Sequence, residues 1–538
     1  MTVGANTPGT VAQSQGRFWI VLVAMLGLAG VASVFVFDLG PSLPFNDDFN
    51  YAWSVSKLVR THELRMFPED SVLPFFQVIW AGLTTLGHTG ATALRLTVFP
   101  MLVVAVVTCG LIARRLGAPP FWAVVAAAGL AAQPVFLSAS TTFMTDTTFL
   151  ALMLVAFLFS LDWLESGRRI VPTILFALLA TLQHQSGATF AAAVTCALLV
   201  AGRHRRVRSR EWAFLVALWL ILIAGVAVPE LVGLSNPVIT ARLIQTSVGD
   251  HLRALLILAC MLMPVVGFGL LPMFGGVLAT LRPNRPRFFL GIGLVLAPFL
   301  TMLLAFHRIS VFPNDYFRLE GLGPISLKGQ KAELFPVPLL LGLMIAGTAT
   351  GAALIVRHLG RGFLRPRDPL IVMALALAAS QLLAPLLVAS ILDRYFLPAT
   401  AILLAVVASR MPPVGNARFP KAWAVCSLAL GVGIYVVGEQ DYQAWQKARF
   451  DLAKAVYVSH SPSKVDAGYE MNGVYWVLPL YDATGTVPAR GAGELSAALS
   501  GPKNPDVYLE FVNAPEHQSA HYDSLAPGWI SVRQAPRH

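Results

Sequence analysis

The sequence predicts an all-α polytopic membrane protein with a small external α/β domain at its C-terminal end. Three observations predict it. Of its 538 residues 56% are hydrophobic and only 12% are charged, about half the charge of a soluble domain. The apolar residues gather in runs, most of them near the ~20 residues that a bilayer crossing needs. The basic residues fall in short clusters between those runs, the pattern left by the positive-inside rule. That distribution also explains the net charge of +11: it points to membrane lipids as partners and away from nucleic acid. The four cysteines, Cys109, Cys196, Cys260 and Cys426, lie inside apolar runs without metal or disulfide spacing.

The runs follow in order. Phe18 to Phe37 reads as a retained first helix with its N-terminus inside, because many spans follow and no small-x-small cleavage site precedes a folded domain. Further runs are expected near 92–113, 120–137, 146–164, 170–183, 188–201, 212–229, 253–280, 288–306, 338–356, 369–391, 398–409 and 422–438. That gives about thirteen membrane segments. With the N-terminus cytoplasmic, every second connection should be cytoplasmic: Arg114-Arg115, Gly167-Arg168-Arg169, Arg203 to Arg210, Arg282 to Arg287, Arg357 to Arg367 and Arg410 to Lys421. Each holds at least two Arg or Lys, which orients the chain and places the region after 438 outside. The expected location is thus a cell (inner or plasma) membrane, with a membrane domain over 1–438 and an external domain over 439–538. The pair 170–183 and 188–201 is short, and its link Gln183-His184-Gln185-Ser186-Gly187 suits a bent pair whose polar tip faces an external cavity.

Two long connections are too polar to span. The first, 38–91, carries Asp47, Asp48, Lys57, Arg60, Glu63 and Arg65 before an apolar stretch, Phe75 to Leu86, that suits an interfacial helix. The second, 307–337, carries Asp315, Arg318, Glu320, Lys328 and Lys331. Long loops of this kind are often functional. In the tail, Tyr442 to His460 has helical periodicity, and Asp506 to Val512 and Trp529 to Arg533 read as strands.

Acids at a membrane surface are costly and therefore suspect. The orientation puts Asp47, Asp48, Asp146, His184, Gln185, Arg95, Asp393, Arg394 and Tyr395 on one side. Alone, Asp47, Asp48 or Asp146 equally suits a helix cap, and Lys57 and Arg60 suit snorkelling to headgroups. Their shared side is what marks a constellation. Three aspartates could also hold a divalent ion, so Asp47, Asp48 and Asp146 are the candidate ligands; oxygen ligands alone fix neither the ion nor the need for one.

Asp47-Asp48-Phe49-Asn50-Tyr51 resembles the Asp-Glu-x-x-Tyr motif in the first external loop of GT-C integral-membrane glycosyltransferases. The branch is that of the protein O-mannosyltransferases and lipid A aminoarabinose transferases. Pro74, Trp80, Gly87 and then Ala93-Leu94-Arg95-Leu96 are similar to the rest of that loop. Asp146 falls where the family has a second aspartate, and Asp393-Arg394-Tyr395-Phe396-Leu397-Pro398 is similar to a late Arg-Tyr-x-x-Pro. The second acid is Asp48 where Glu is usual, and Gln-His-Gln-Ser-Gly stands where relatives often have Lys-Gly-Pro. Donor sugar and acceptor therefore stay open.

The resemblance implies an inverting transfer of a sugar from a polyprenyl-phosphate donor to an acceptor hydroxyl on a lipid, polysaccharide or protein. It implies Asp47 as general base, with Asp48 and Asp146 as supporting acids. It also implies Arg394 and Tyr395 at the lipid phosphate, with Tyr51, Arg95, His184 and Gln185 beside the substrates. The competing reading is a transporter or flippase of a lipid-linked or polar solute. The short pair favours it, and the rim position of the acids and the lack of an internal repeat oppose it.

Overall fold

The computed structural model describes residues 45–67, 74–203, 205–232, 246–279, 317–359, 368–388, 391–484, 505–514 and 518–534, with 291, 293 and 502. The expected spans 18–37 and 288–306, the cluster Arg282 to Arg287 and residues 307–316 lie outside them.

Helices dominate. After α1 (Asp48–Thr61) and α2 (Phe75–Thr84) come α3 (Ala91–Arg115), α4 (Pro120–Ala131), α5 (Pro134–Ser140), α6 (Thr145–Ser166) and α7 (Ile170–Thr181). A short 3₁₀ turn at Gln185–Thr189 leads into α8 (Phe190–Gly202), followed by α9 (Ser209–Leu231), α10 (Val248–Gly269) and α11 (Phe274–Leu278). Next come α12 (Val337–Leu359), α13 (Pro369–Leu383), α14 (Leu397–Ser409) and α15 (Arg418–Tyr457). Among the described residues, eight helices are long and apolar enough to cross a membrane, or nine if the bent pair α4–α5 is one span.

Local chemistry sets the ends. Pro134 cannot donate to the helix before it, so α4 stops at Ala131 and α5 leaves at 62°. Gly167 closes α6 in the left-handed region, with φ 70. Ser247 and Asp250 form a reciprocal capping box at α10, and Asp368 caps Leu370 ahead of Pro369. The faces sort by neighbour: α9 turns Val216, Leu220 and Ile223 outward, as a lipid-facing helix should, while α14 is buried along Ala399, Ala401, Ile402, Leu404 and Ala405. Small residues let α10 and α12 touch backbone to backbone: a Cβ on Gly347 would lie 2.4 Å from the Pro264 carbonyl oxygen.

Two expected boundaries move. The run at 188–201 joins its preceding 3₁₀ turn to make a span of 18 residues, Gln185–Gly202, so the pair is less short than its apolar stretches suggest. The last run, expected to end at 438, continues unbroken for 40 residues as α15, about 60 Å at the helical rise. Its second half turns polar on one face and keeps Tyr442, Trp445 and Ala453 buried, so composition changes there while periodicity does not.

That second half carries a small sheet. Strands β1 (Phe317–Arg318) and β2 (Gly321–Leu322) pair with each other; β3 (Lys328–Gly329), β4 (Val465–Asp466), β5 (Val507–Val512), β6 (Ser519–Tyr522) and β7 (Gly528–Gln534) form the sheet. Strand β5 is central, antiparallel to β7 from Val507↔Gln534 to Val512↔Trp529 and parallel to β3 and β4 on its other edge. Its buried residues alternate, Val507, Leu509 and Phe511, and Phe511 meets Trp445 of α15 edge-on at 5.4 Å. Through β3 the second polar connection and the tail share one sheet.

The charges separate into two ends of the bundle. At one end Arg115 pairs with Asp162 at 2.7 Å and Glu165 at 2.6 Å, Arg410 pairs with Asp368 at 3.5 Å, and the Trp122 indole donates to the Pro412 carbonyl. These are connections expected to be cytoplasmic. The first turns of α3, which carry Arg95, the start of α6 at Thr145 and the turn before α14 lie at the other end.

Candidate active site

Asn46 adopts φ 47, a turn that throws the chain into α1 and sets its first residues side by side. Asp47 remains half-exposed, whereas Asp48 is 4% exposed. Both Asp48 oxygens are engaged: Oδ1 accepts the Phe45 N–H at 2.7 Å and Oδ2 accepts Arg95 Nη2 at 3.2 Å. Burial pushes the Asp48 carboxyl up to about 6, against the pull of Arg95 and of the Phe45 N–H. Asp47 is held differently. Its Oδ1 accepts the Tyr469 hydroxyl at 2.6 Å.

A second carboxylate–arginine pair lies at the start of α6. Asp146 and Arg394 are 13% and 11% exposed at the side chain, with Arg394 Nη1 3.9 Å from Asp146 Oδ2. Arg394 stands in a 3₁₀ turn, Asp393–Phe396, ahead of α14. Asp393 anchors that turn: it is buried, and its oxygens accept the N–H groups of Arg394 and Phe317, each at 2.7 Å. The Arg394 guanidinium lies 5.7 Å from the Tyr395 ring. His184 meets the Phe149 ring at 5.1 Å, and its Nδ1 accepts the Ser186 N–H at 3.2 Å. Removal from water, then the charge of Arg394, pushes His184 down to about 4. It is a neutral imidazole whose free donor is Nε2–H.

A buried amide pair fixes these parts to the first loop. Gln77 N–H donates to Gln183 Oε1 at 3.0 Å, and Gln183 Nε2 returns a bond to Gln77 Oε1 at 2.8 Å. Gln77 Nε2 also donates to the Phe143 carbonyl, and Gln183 Nε2 to that of Thr145. So α2, the turn into α6 and the tip after α7 form one unit. Gln381 of α13 closes the other side of the tip by donating to the Ser186 carbonyl and the Thr189 hydroxyl.

The residues singled out in the sequence thus fall into two groups. Asp48 with Arg95, beside Asp47, is one; Asp146 with Arg394, Tyr395 and His184, is the other. Gln185 opens the 3₁₀ turn and is half-buried. Tyr51, on α1, is 3% exposed and packs in the core. Lys57 pairs with Asp482 at 2.8 Å. The three aspartates do not assemble as metal ligands: among the described residues no group of three His, Cys, Asp or Glu stands close enough to hold an ion. Two different guanidinium groups face these acids, Arg95 at Asp48 and Arg394 at Asp146.

Sequence reading missed Tyr469, Glu439 and the Arg449–Glu470 pair. Glu439 is 5% exposed on α15 and accepts from Gln443. Arg449 and Glu470 are fully buried and bonded at 3.0 Å. The one available signal was Glu439-Gln440-Asp441-Tyr442 at the end of the last apolar run, polar residues on a helix that does not stop.

No protein-family profile and no curated protein sequence matches the chain. Among solved structures it is similar to ArnT from Cupriavidus metallidurans bound to undecaprenyl phosphate. The identity is 14% and the TM-score 0.48 over 96% of this chain and 99% of that one. It is similar also to the apo form of that protein, at 15% identity and a TM-score of 0.41 over 97% and 100% of the two chains. A third is the archaeal oligosaccharyltransferase AglB from Archaeoglobus fulgidus in complex with an inhibitory peptide and a dolichol-phosphate. There the identity is 15% and the TM-score 0.41, over 80% of this chain and 56% of that chain. At these identities and scores, the residues described above carry the functional reading.

Proposed function

We propose that the protein is a membrane glycosyltransferase that moves a sugar from a polyprenyl-phosphate donor to an acceptor hydroxyl at the external face, with inversion. The observation that carries this reading is the division of labour in Asp47-Asp48. Asp48 is buried with both oxygens occupied, so it cannot reach an acceptor. Asp47 is half-exposed and uses one oxygen on Tyr469, so its second oxygen is available to a substrate hydroxyl. A base must first have reach.

In the transfer, the acceptor oxygen forms a bond to the anomeric carbon as the bond from that carbon to the phosphate oxygen breaks. The bonding pair leaves with the phosphate, and the acceptor proton passes to Asp47. Attack opposite the leaving group inverts the anomeric centre. The phosphate gains charge, which a planar guanidinium such as Arg394 answers with paired hydrogen bonds. Asp146 and the Asp393 turn hold Arg394 in place beforehand, so no reorganisation is needed in the transition state. His184 Nε2–H is a neutral donor beside that charge.

The test is product analysis with the purified chain in sealed vesicles supplied with a labelled polyprenyl-phosphate sugar. Release of polyprenyl phosphate with a new, inverted glycosidic bond on an externally supplied acceptor is the expected result. Movement of label across the bilayer with no new bond would establish the transporter reading in its place.

A further inference from the structure

The external tail contributes directly to the Asp47 corner. The helical stretch after Gly468 runs through α16 (Tyr469–Asn472), a turn of π-helix at Gly473–Val477, and α17 (Leu478–Thr484). It lies against α1. Trp53 and Phe67 meet the Tyr481 ring edge-on at 5.3 and 5.6 Å, and the Trp53 indole donates to Asp482 at 3.0 Å. Gly473 lies on the Phe49 ring, where a Cβ would come within 2.3 Å of a ring carbon, so only glycine permits this approach. The start of the stretch is pinned from behind. Glu470, next to Tyr469, is bonded to Arg449 of α15 at 3.0 Å and to the Ser326 hydroxyl at 2.6 Å, and is fully buried.

We infer that Tyr469 is a positioning residue for Asp47: its hydroxyl holds Oδ1 so that Oδ2 faces the acceptor. The inference rests on the reading of Asp47 as the base. Its physical content is that a carboxylate on a half-exposed turn rotates freely unless something fixes it, and that a base held in line transfers protons faster than one that must first find its orientation. A tyrosine fixed by Phe49 at 5.7 Å and by the buried Glu470 anchor loses little further entropy in making that bond. The bond joins residues 422 positions apart, so the tail is part of the site and not an appendage.

The experiment uses the full chain in lipid vesicles, with kcat and KM measured for donor and acceptor. Tyr469→Phe is expected to lower kcat about tenfold, the scale of one hydrogen bond, with both KM values within about twofold of wild type. Asp482→Ala loosens the same docking at Trp53 and Lys57 but leaves the hydroxyl, and is expected to keep kcat near wild type. Equal losses in the two variants would reduce Tyr469 to a docking residue and overturn the inference. Ring-fluorinated tyrosines at 469 keep the shape while grading the hydroxyl, so they test the same point even where phenylalanine disturbs folding. Their log kcat is expected to follow hydroxyl acidity, and a flat series overturns the inference. An unchanged Tyr469→Phe beside an inactive Asp47→Asn overturns the positioning role and leaves the base. A fully active Asp47→Asn overturns both.

Discussion

The two ends of the helical bundle carry the same kinds of charged residues in different settings. At the end expected to be cytoplasmic, Arg115, Asp162 and Glu165 pair at 2.6 to 2.7 Å with side chains 34 to 42% exposed. At the other end, Arg95–Asp48 and Arg394–Asp146 sit 3.2 and 3.9 Å apart with side chains 6 to 18% exposed. Of these four contacts the closer are the wetter, whereas the 3.0 Å Arg449–Glu470 pair is both close and fully buried. Exposed pairs are screened and contribute about 0–1 kcal/mol, so the pairs at that end add little to stability. Buried pairs cost several kcal/mol in desolvation that mutual attraction only partly offsets. Arg95–Asp48 and Arg394–Asp146 are such pairs, both longer than the exposed Arg115 contacts, so their geometry makes neither a source of net stability. Burial, and not closeness, distinguishes Arg95–Asp48 and Arg394–Asp146 from the Arg115 contacts.

Substitutions at the two ends should differ in their effects. The largest effect is expected at Asp47, where Asn should lower kcat by about 10²–10⁴, as loss of a general base does. Arg394→Ala should come next, with a fall of about 10²–10³ in kcat, the loss expected when one preorganised donor is removed. It should also lower thermal stability by leaving Asp146 buried without its partner; Arg394→Lys should recover the stability better than the rate, since an ammonium keeps the charge but not the planar fork.

A third effect is in pH. Asp48 sits near 6 when folded, above its usual 3.8, so the folded chain binds the proton more tightly than the unfolded one. Stability from this group is therefore fully present below about 4 and is lost as pH rises to about 6. The Arg95 ion pair forms over the same interval. Wild type should show that downward slope in melting temperature between pH 4 and 6 and a rise of activity through about pH 6; Asp48→Asn should flatten both. The smallest effect belongs to the other end: Arg115→Ala should change stability by no more than about 1 kcal/mol and leave transfer at the wild-type rate.

Much of this was legible in the chain because lipid imposes a simple rule. Side chains facing hydrocarbon must be apolar and backbone groups must be paired within a helix, so the runs at 92–113 and 146–164 reappear as α3 and α6. The individual residues of both ion pairs were legible too, from their shared side of the membrane. Their pairing was not. Asp48 finds Arg95 47 positions away, and Asp47 finds Tyr469 in a tail whose sequence carries no motif. Such contacts depend on how helices cross, which periodicity does not encode. At Glu439 the composition turns polar while the helix does not stop: α15 runs unbroken for 40 residues. Strand β3 is two residues long, too short for any alternating pattern to announce it.

In the proposed reaction Asp47 removes the acceptor proton. Single-turnover sugar transfer in sealed vesicles, with donor saturating and wild type, Asp47→Asn and Arg115→Ala compared at equal folded protein, tests it most directly. Donor binding is expected within about twofold in all three, with the chemical step reduced about 10²–10⁴ in Asp47→Asn alone. Equal transfer rates in all three would contradict it.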